Sequence, residues 1–148
     1  MKNMSNKKLK ILLVTPNLKG IVDGLNRIQP SLGLMLIAQV LLDDGHHVKI
    51  HDTALEGWNN KELIDSSKKI ISIGQNDKEI KKVISDFSPD VVAISVLFSN
   101  LLESAHNIAN LAKQVNKNIT VILGGNHISG SVTDYKFAVM DKNSNLPN

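Results

Sequence analysis

Short aliphatic runs, each followed by a turn, constrain the fold of this chain more than any other feature of its sequence. Three of them are KILLVT (10–15), DVVAISVLF (90–98) and ITVILGG (119–125). A continuous apolar run of this length, bounded by turn residues, is typical of a strand that is buried on both faces of a sheet. A fourth run, HVKIHD (47–52), is also predicted to be a strand, although its pattern is mixed.

Segments with a helical pattern separate these strands. Residues 30–45 are apolar almost all round, so we expect a heavily buried helix there. Residues 77–87 place their apolar side chains on one face, and Asp77 is a suitable residue to cap that helix. A third helix is predicted over residues 101–115, whereas residues 53–76 show no clear pattern.

The alternation of strands with helices predicts an α/β fold with a parallel sheet and helices on both faces. Right-handed crossovers then lead to a doubly wound sheet of the flavodoxin-like or Rossmann-like kind. In such sheets ligands bind beyond the carboxyl ends of the strands, near the point where the strand order switches. Those ends are residues 15–17, 52–53, 95–100 and 124–127, and a loop containing Gly20 is expected after the first strand.

At 148 residues the chain is long enough for one domain with a substantial core. We expect a flexible N-terminal tail over residues 1–7 and the folded domain over residues 8–130. Residues 131–148 are polar and weakly patterned, apart from KFAVM, which could form a helical turn or a strand. No final strand is evident there, so we expect residues 131–148 to be a partial or truncated C-terminal segment. A sheet that lacks its final strand has an open edge that favours association with a partner.

Composition excludes several classes of function. The net charge is only +3 and aromatic residues make up 3% of the chain, so no basic and aromatic surface for nucleic acid is expected. The absence of cysteine excludes disulfides, thiol nucleophiles and an iron–sulfur cluster held by this chain. No apolar run is long enough to span a membrane, and the N-terminus lacks a signal-peptide core, so we expect a cytoplasmic protein.

Three common uses of this fold need sequences that the chain lacks. The Gly-x-Gly-x-x-Gly loop of dinucleotide-binding proteins is missing after the first strand, and no Gly-x-x-x-x-Gly-Lys-Ser/Thr phosphate loop is present. A phosphoacceptor domain would have acidic residues where this chain has Thr15 and Ser95. Metal-binding His-x-x-x-His spacing and a Gly-x-Ser-x-Gly nucleophile element are also missing, so we expect neither catalytic nor metal-ligating residues.

A different set of residues stands at the strand ends: Thr15-x-Asn17-x-x-Gly20, Ser95-Val96-Leu97 and Gly124-Gly125. Together with PSLGLMLIAQVLLDDGHHVKIHD (30–52), PDVVAISVLFSN (89–100) and VILGGNH (121–127), this ordered set resembles the cobalamin-binding domain at the N-terminus of many cobalamin-dependent radical SAM enzymes. The resemblance covers residues 8–130.

The resemblance implies where cobalamin would bind. The nucleotide tail of the corrinoid would run beside the sheet, between strand ends, and the corrin ring would lie across the top. Gly124 and Gly125 would leave room for that tail, Ser95 would hydrogen-bond its base, and Leu97 would line the slot. A bulky residue at Gly125 would then abolish binding and leave the fold intact. On spacing alone, a tight turn from strand to helix explains the two glycines equally well.

By the same resemblance, the cofactor-binding residues lie at three strand ends. They are Thr15, Pro16, Asn17, Gly20, Ser95, Val96, Leu97, Phe98, Gly124, Gly125, Asn126 and His127.

One departure from the family concerns the cobalt ion. Related domains carry Asp-x-His-x-x-Gly in the first loop, where the histidine ligates cobalt and the aspartate orients it. The matching positions here are Thr15, Asn17 and Gly20. We therefore predict that cobalamin binds with its base detached and without a histidine on cobalt. Asn17 could touch the lower face of the ring or cap a loop, and His127 could lie near the ring edge or face solvent.

The resemblance implies that the chain is the corrinoid module of a methyl-transfer or rearrangement system. S-adenosylmethionine and an iron–sulfur cluster would then be held by a radical SAM catalytic domain or partner chain, because this chain has no cysteine. One alternative is an α/β docking or small-ligand-binding module that meets no corrinoid. Another is a nucleotide-dependent enzyme, which the missing glycine loop disfavours.

Overall fold

The computed structural model describes residues 7–130 of the chain. No helix in this range is long and apolar enough to cross a membrane. Two segments lie outside the described residues: residues 1–6, which are most of the predicted N-terminal tail, and residues 131–148, which include the KFAVM segment. The elements in chain order are β1 (Lys10–Thr15), β2 (Leu18–Ile21), α1 (Leu32–Asp43), β3 (His47–Asp52), α2 (Thr53–Glu56), β4 (Lys61–Asp65), β5 (Ile70–Ile73), α3 (Asp77–Phe87), β6 (Val91–Ser95), α4 (Leu102–Val115), β7 (Thr120–Gly124) and α5 (Asn126–Gly130).

The four predicted strands form one parallel sheet in the order β3–β1–β6–β7. The chain steps outward from β1 to β3 and then crosses back to β6 and β7, which is the doubly wound arrangement. Helix α1 packs on one face, and α3 and α4 pack on the other. The predicted flavodoxin-like α/β fold is confirmed, and its switch point lies between the carboxyl ends of β1 and β6.

The side chains of β1 alternate between two separate clusters, as the two-residue period of a strand requires. Leu12 and Val14 belong to a large buried cluster with residues of α3, α4 and β6. Ile11 and Leu13 belong to a much smaller buried cluster with α1. The α1 face of the sheet is therefore the more thinly covered of the two.

Helix α1 is not heavily buried, so that prediction was wrong. Only Leu34 and Ala38 are buried, whereas Leu32, Leu36 and Val40 are 66%, 62% and 61% exposed. A helix that is apolar all round does not reveal from its sequence which side faces the core. The helix lies on the thinly covered face, so its outer apolar side chains have little to pack against.

The residues between β3 and α3, which showed no pattern, form most of a second sheet. This sheet is antiparallel, with the order β2–β5–β4. Gly20 pairs with Ile71, so it lies in a strand and not in the predicted loop. Strand β2 has only four residues and pairs with a strand far along the chain. A local pattern cannot reveal a strand whose stability depends on such a distant neighbour.

Side-chain hydrogen bonds shape two turns beside this sheet. Helix α3 is capped by Asn76 and not by Asp77: Asn76 Oδ1 accepts from Glu79 N at 3.1 Å, and the Glu79 carboxylate accepts from Asn76 N at 2.8 Å. This reciprocal pair is a capping box. In the turn between β4 and β5, the Ser67 hydroxyl donates to the Asp65 carboxylate and holds the pKa of Asp65 below its ordinary value.

The second sheet meets the rest of the domain through close backbone contacts. At Gly57, a Cβ atom would lie 2.1 Å from the carbonyl carbon of Gly74 and 2.2 Å from Gln75 N. Gln75 N in turn donates to Thr53 O at 2.9 Å. The segment that leads from β5 to α3 therefore rests directly against the end of α2, at a position where only glycine fits.

Replacing Gly57 with alanine should lower the free energy of unfolding by about 1–3 kcal/mol, the usual cost of forcing atoms into packed space. The matched control is Gly33→Ala, because a Cβ atom there would meet nothing within 4 Å. The control should leave stability unchanged or raise it by at most about 1 kcal/mol, since alanine favours helix. Urea denaturation followed by circular dichroism measures both variants. A Gly57→Ala protein as stable as the wild type would contradict the close contact.

Candidate functional site

The carboxyl ends of β1, β6 and β7 lie side by side, because these strands are neighbours in one parallel sheet. The sheet therefore brings together segments 15–17, 95–98 and 124–127, which contain all but one of the predicted site residues. Pro16 is fully buried at the end of β1, while Phe98 is 66% exposed after β6. We call this part of the molecule the carboxyl edge.

Gly20 is the exception, and packing explains why a glycine stands there. It lies in β2, where a Cβ atom would be 2.1 Å from Asn26 Oδ1. Asn26 closes the following loop by donating from Nδ2 to Ile21 O at 3.0 Å and to Gly24 O at 3.2 Å. Gly20 lines neither of the two large cavities beside the main sheet, and its part in ligand binding stays a prediction.

A groove of about 780 Å³ runs along the α1 face of the main sheet. Its walls are mainly apolar side chains of α1 and of β1, β6 and β7. Ile37 on the helix and Ile122 on the sheet are each 51% exposed, so the groove leaves apolar surface in contact with water. The groove reaches the carboxyl edge, where Ser95, Leu97 and Gly124 line it.

The two adjacent glycines have different roles. Gly124 lines the groove, and a Cβ atom there would meet nothing within 4 Å; the same holds for Gly33 in α1. Gly125 has a φ of +104°, and a Cβ atom there would lie 2.6 Å from Val96 O. That carbonyl also accepts from His127 N at 3.1 Å. The tight turn therefore requires a glycine at position 125. At position 124, by contrast, the glycine leaves open space in the groove.

Ser95 ends β6 with its side chain at the groove. It is 9% exposed and lies opposite Gly124 in the register of β6 and β7. Within residues 7–130 its hydroxyl has no hydrogen-bond partner. An unpaired hydroxyl offers both a donor and an acceptor to a ligand that enters the groove. Leu97, which is 41% exposed, lines the same end.

Asn17 follows β1 and is held by Gln75, which the sequence did not single out because its segment has no pattern. Asn17 Nδ2 donates to Gln75 O at 2.8 Å. That carbonyl can only accept, so the orientation of the amide is determined and Asn17 Oδ1 must point elsewhere. Oδ1 is buried and has no partner in the described part of the chain. Gln75 also contacts His51, which is only 7% exposed: His51 Nε2 lies 2.6 Å from Gln75 Oε1.

The remaining predicted residues, Asn126 and His127, open the five-residue helix α5. Among residues 7–130, no group of three His, Cys, Asp or Glu side chains is placed to hold a metal ion. That cobalt has no histidine ligand stays a prediction, as do the parts of Thr15 and Phe98 in binding.

The different roles of the two glycines can be tested by stability. Gly125→Ala should lower the free energy of unfolding by about 1–3 kcal/mol, because it imposes a strained backbone and a clash with Val96 O. Gly124→Ala should fold with unchanged stability, since its Cβ would enter open space. Thermal unfolding measures both, and equal destabilisation of the two variants would show that the distinction is wrong. The structure corrects the expectation that a bulky residue at Gly125 leaves the fold largely intact, because a Cβ atom there would lie 2.6 Å from Val96 O.

The chain matches known proteins over most of its length. The family model for the B12 binding domain matches residues 18–141. The cytidylyl-2-hydroxyethylphosphonate methyltransferase of Streptomyces wedmorensis is 37% identical over 118 residues, which are 80% of this chain and 22% of that protein. An uncharacterized methyltransferase of Pyrococcus horikoshii is 32% identical over 124 residues, which are 83% of this chain and 23% of that protein. The chain thus spans less than a quarter of the length of these relatives.

The geometry of the carboxyl edge agrees with these matches. The groove is apolar, has no side chain at Gly33 or Gly124 and ends at the hydroxyl of Ser95, which has no partner among residues 7–130. It therefore has room and suitable chemistry for the flat base and sugar of a corrinoid tail. The main sheet flanked by helices is the fold on which such domains are built. The chain belongs to the B12-binding domain family, and cobalamin is its cofactor.

Proposed function

We propose that this chain is the corrinoid module of a radical SAM methyl-transfer or rearrangement system and that it binds cobalamin with the base detached from cobalt. The observation that carries the proposal is the apolar groove that reaches the carboxyl edge between Ser95 and Gly124. A base that is detached from cobalt needs a place of its own, and this groove would supply one.

The groove would hold the nucleotide tail. Its apolar walls favour burial of a flat heteroaromatic base, because transfer of apolar surface out of water is favourable. The Ser95 hydroxyl, unpaired within the described residues, would hydrogen-bond a ring nitrogen of that base. Gly124 would let the tail approach the backbone of β7 closely, since a side chain there would occupy the same space. Leu97 would cover the tail at the carboxyl edge.

The lower face of the corrin ring would lie toward Asn17. This residue stands where related domains have the histidine that ligates cobalt. Its amide nitrogen already donates to Gln75 O, and a neutral amide is a far weaker metal ligand than an imidazole. This supports binding of cobalamin without a protein nitrogen on cobalt. When bound, cobalamin supplies a cobalt centre that can carry a methyl group; the residues of this chain hold and orient it.

The catalytic half of the system would be another domain or chain. Both relatives are methyltransferases, and this chain corresponds to less than a quarter of each. It contains no cysteine, so an iron–sulfur cluster and the S-adenosylmethionine bound to it would belong to that other part. The boundaries of the module, residues 8–130 between a tail over 1–7 and the segment 131–148, and a cytoplasmic location stay predictions from the sequence.

The test is the absorption spectrum of the purified chain after incubation with hydroxocobalamin and desalting. We expect a retained corrinoid with a base-off spectrum. Gly124→Leu should weaken binding by at least about tenfold, equivalent to about 1.4 kcal/mol, because leucine fills the groove. Gly130→Leu is the matched control, since a Cβ atom there also meets nothing within 4 Å but does not line the groove; it should bind as the wild type does.

Two other outcomes would change the proposal. A nitrogen-ligated spectrum that becomes base-off in His127→Ala would show that His127 ligates cobalt and that the inference from Asn17 is wrong. Loss of all corrinoid from a well-folded wild-type chain would contradict the proposed module and favour a docking domain that meets no corrinoid.

A further inference from the structure

A second cavity, of about 660 Å³, lies on the α3 and α4 side of the main sheet. One wall is a row across the second sheet, in which Ser72 of β5 pairs with Lys19 of β2 and with Glu62 of β4. The facing wall includes Ser104 near the start of α4, and Asn17 lines the cavity beside the end of β1. We call this cavity the polar chamber. Its walls come from elements that are far apart in the sequence, and the sequence pattern did not predict that these elements would meet.

The polar chamber contains charged side chains of both signs. Lys19 forms an ion pair with Glu103 of α4. Asp77, in the first turn of α3, accepts from Asn107 Nδ2 at 2.8 Å. The chamber also contains one further lysine and one further glutamate, so its two lysines face three carboxylates. A lining without excess positive charge disfavours phosphate or carboxylate ligands.

Neutral polar groups supply the rest of the lining. The hydroxyls of Ser72 and Ser104 each offer a donor and an acceptor. The amide side chains of Asn76 and Asn107 add further neutral polar groups to the lining. The polar chamber therefore suits a neutral group that carries both N–H donors and a carbonyl acceptor.

We propose that the polar chamber binds the carboxamide side chains at the periphery of the corrin ring, an inference that rests on the proposed function. Each primary amide has two N–H donors and one carbonyl oxygen, which match the neutral polar groups of the lining. The chamber lies beside Asn17, at the end of β1, and the groove ends at Ser95 in the neighbouring strand β6. Cavities on opposite faces of the sheet thus recognise two parts of one cofactor: the groove binds the tail and the chamber binds the edge of the ring.

The test compares hydroxocobalamin with dicyanocobinamide, a corrinoid that has the amide-bearing ring but lacks the nucleotide tail. Dissociation constants of both are measured by equilibrium dialysis with the full chain. Ser104→Leu and Ser72→Leu fill the chamber from opposite walls, and leucine suits the helix and is tolerated in the strand. The control is Ser85→Leu on the exposed surface of α3, which lines neither cavity. Thermal unfolding checks that each variant is folded.

Both chamber variants should raise the dissociation constants of the two corrinoids by the same factor of about ten, the size expected when one or two hydrogen bonds are lost. Gly124→Leu, which fills the groove, should weaken cobalamin binding and leave cobinamide binding unchanged. Ser85→Leu should bind both as the wild type does.

Unchanged cobinamide binding in folded Ser104→Leu and Ser72→Leu would overturn the chamber proposal and leave the proposed function standing. The chamber proposal would also be overturned if the wild-type chain bound cobalamin but showed no measurable binding of cobinamide. The ring and its amides would then contribute no affinity without the nucleotide tail. A wild-type chain that binds neither corrinoid would overturn both the chamber proposal and the proposed function.

Discussion

The pairing of β6 with β7 is the interaction on which the site depends. Their parallel register sets Ser95 opposite Gly124, and a hydrogen bond of 2.7 Å from Val96 N to Gly124 O carries the pairing past the end of β6. Gly125 then turns the chain over Val96, whose carbonyl accepts from His127 N. This backbone arrangement places the Ser95 hydroxyl, unpaired in the described part of the chain, beside the open position of Gly124. The protein therefore forms the end of the groove by itself, with its groups already oriented for a ligand.

The unequal coverage of the two sheet faces gives the molecule its groove. The α3 and α4 face carries a large buried cluster, whereas the α1 face leaves Ile37 and Ile122 half exposed. Burial of apolar surface contributes about 25 cal/mol of free energy per Å². A bound tail that covered the groove would gain this contribution. Exposed, contiguous apolar surface beside a few polar groups is typical of a ligand site. On the outer side of α1, Leu36 and Val40 are exposed as well.

The second sheet adds a polar side to a site that is otherwise apolar. It is held to the main sheet through Gln75, which accepts from Asn17, donates to Thr53 and contacts His51. Apolar contacts contribute affinity but depend little on the orientation of the ligand, whereas hydrogen bonds form only when donor and acceptor are aligned. A corrinoid has both kinds of surface, a flat base on its tail and amides around its ring. Two cavities of different chemistry that reach one edge of the sheet could therefore hold the cofactor in a single orientation.

The sequence alone determined the fold class and predicted where the candidate site lies. Buried parallel strands need continuous aliphatic runs, and a parallel sheet brings their carboxyl ends together, so the strand pattern by itself places Ser95 and Gly124 at one edge. The second sheet and Gln75 could not be predicted, because short strands gain stability from partners distant in the chain. Nor does an all-apolar pattern show which side of α1 is buried. Gly124 and Gly125 look alike in the sequence. Only the tertiary structure decided that the first opens on the groove and the second is required by the turn, because the deciding contact is with the backbone of Val96 in another strand segment.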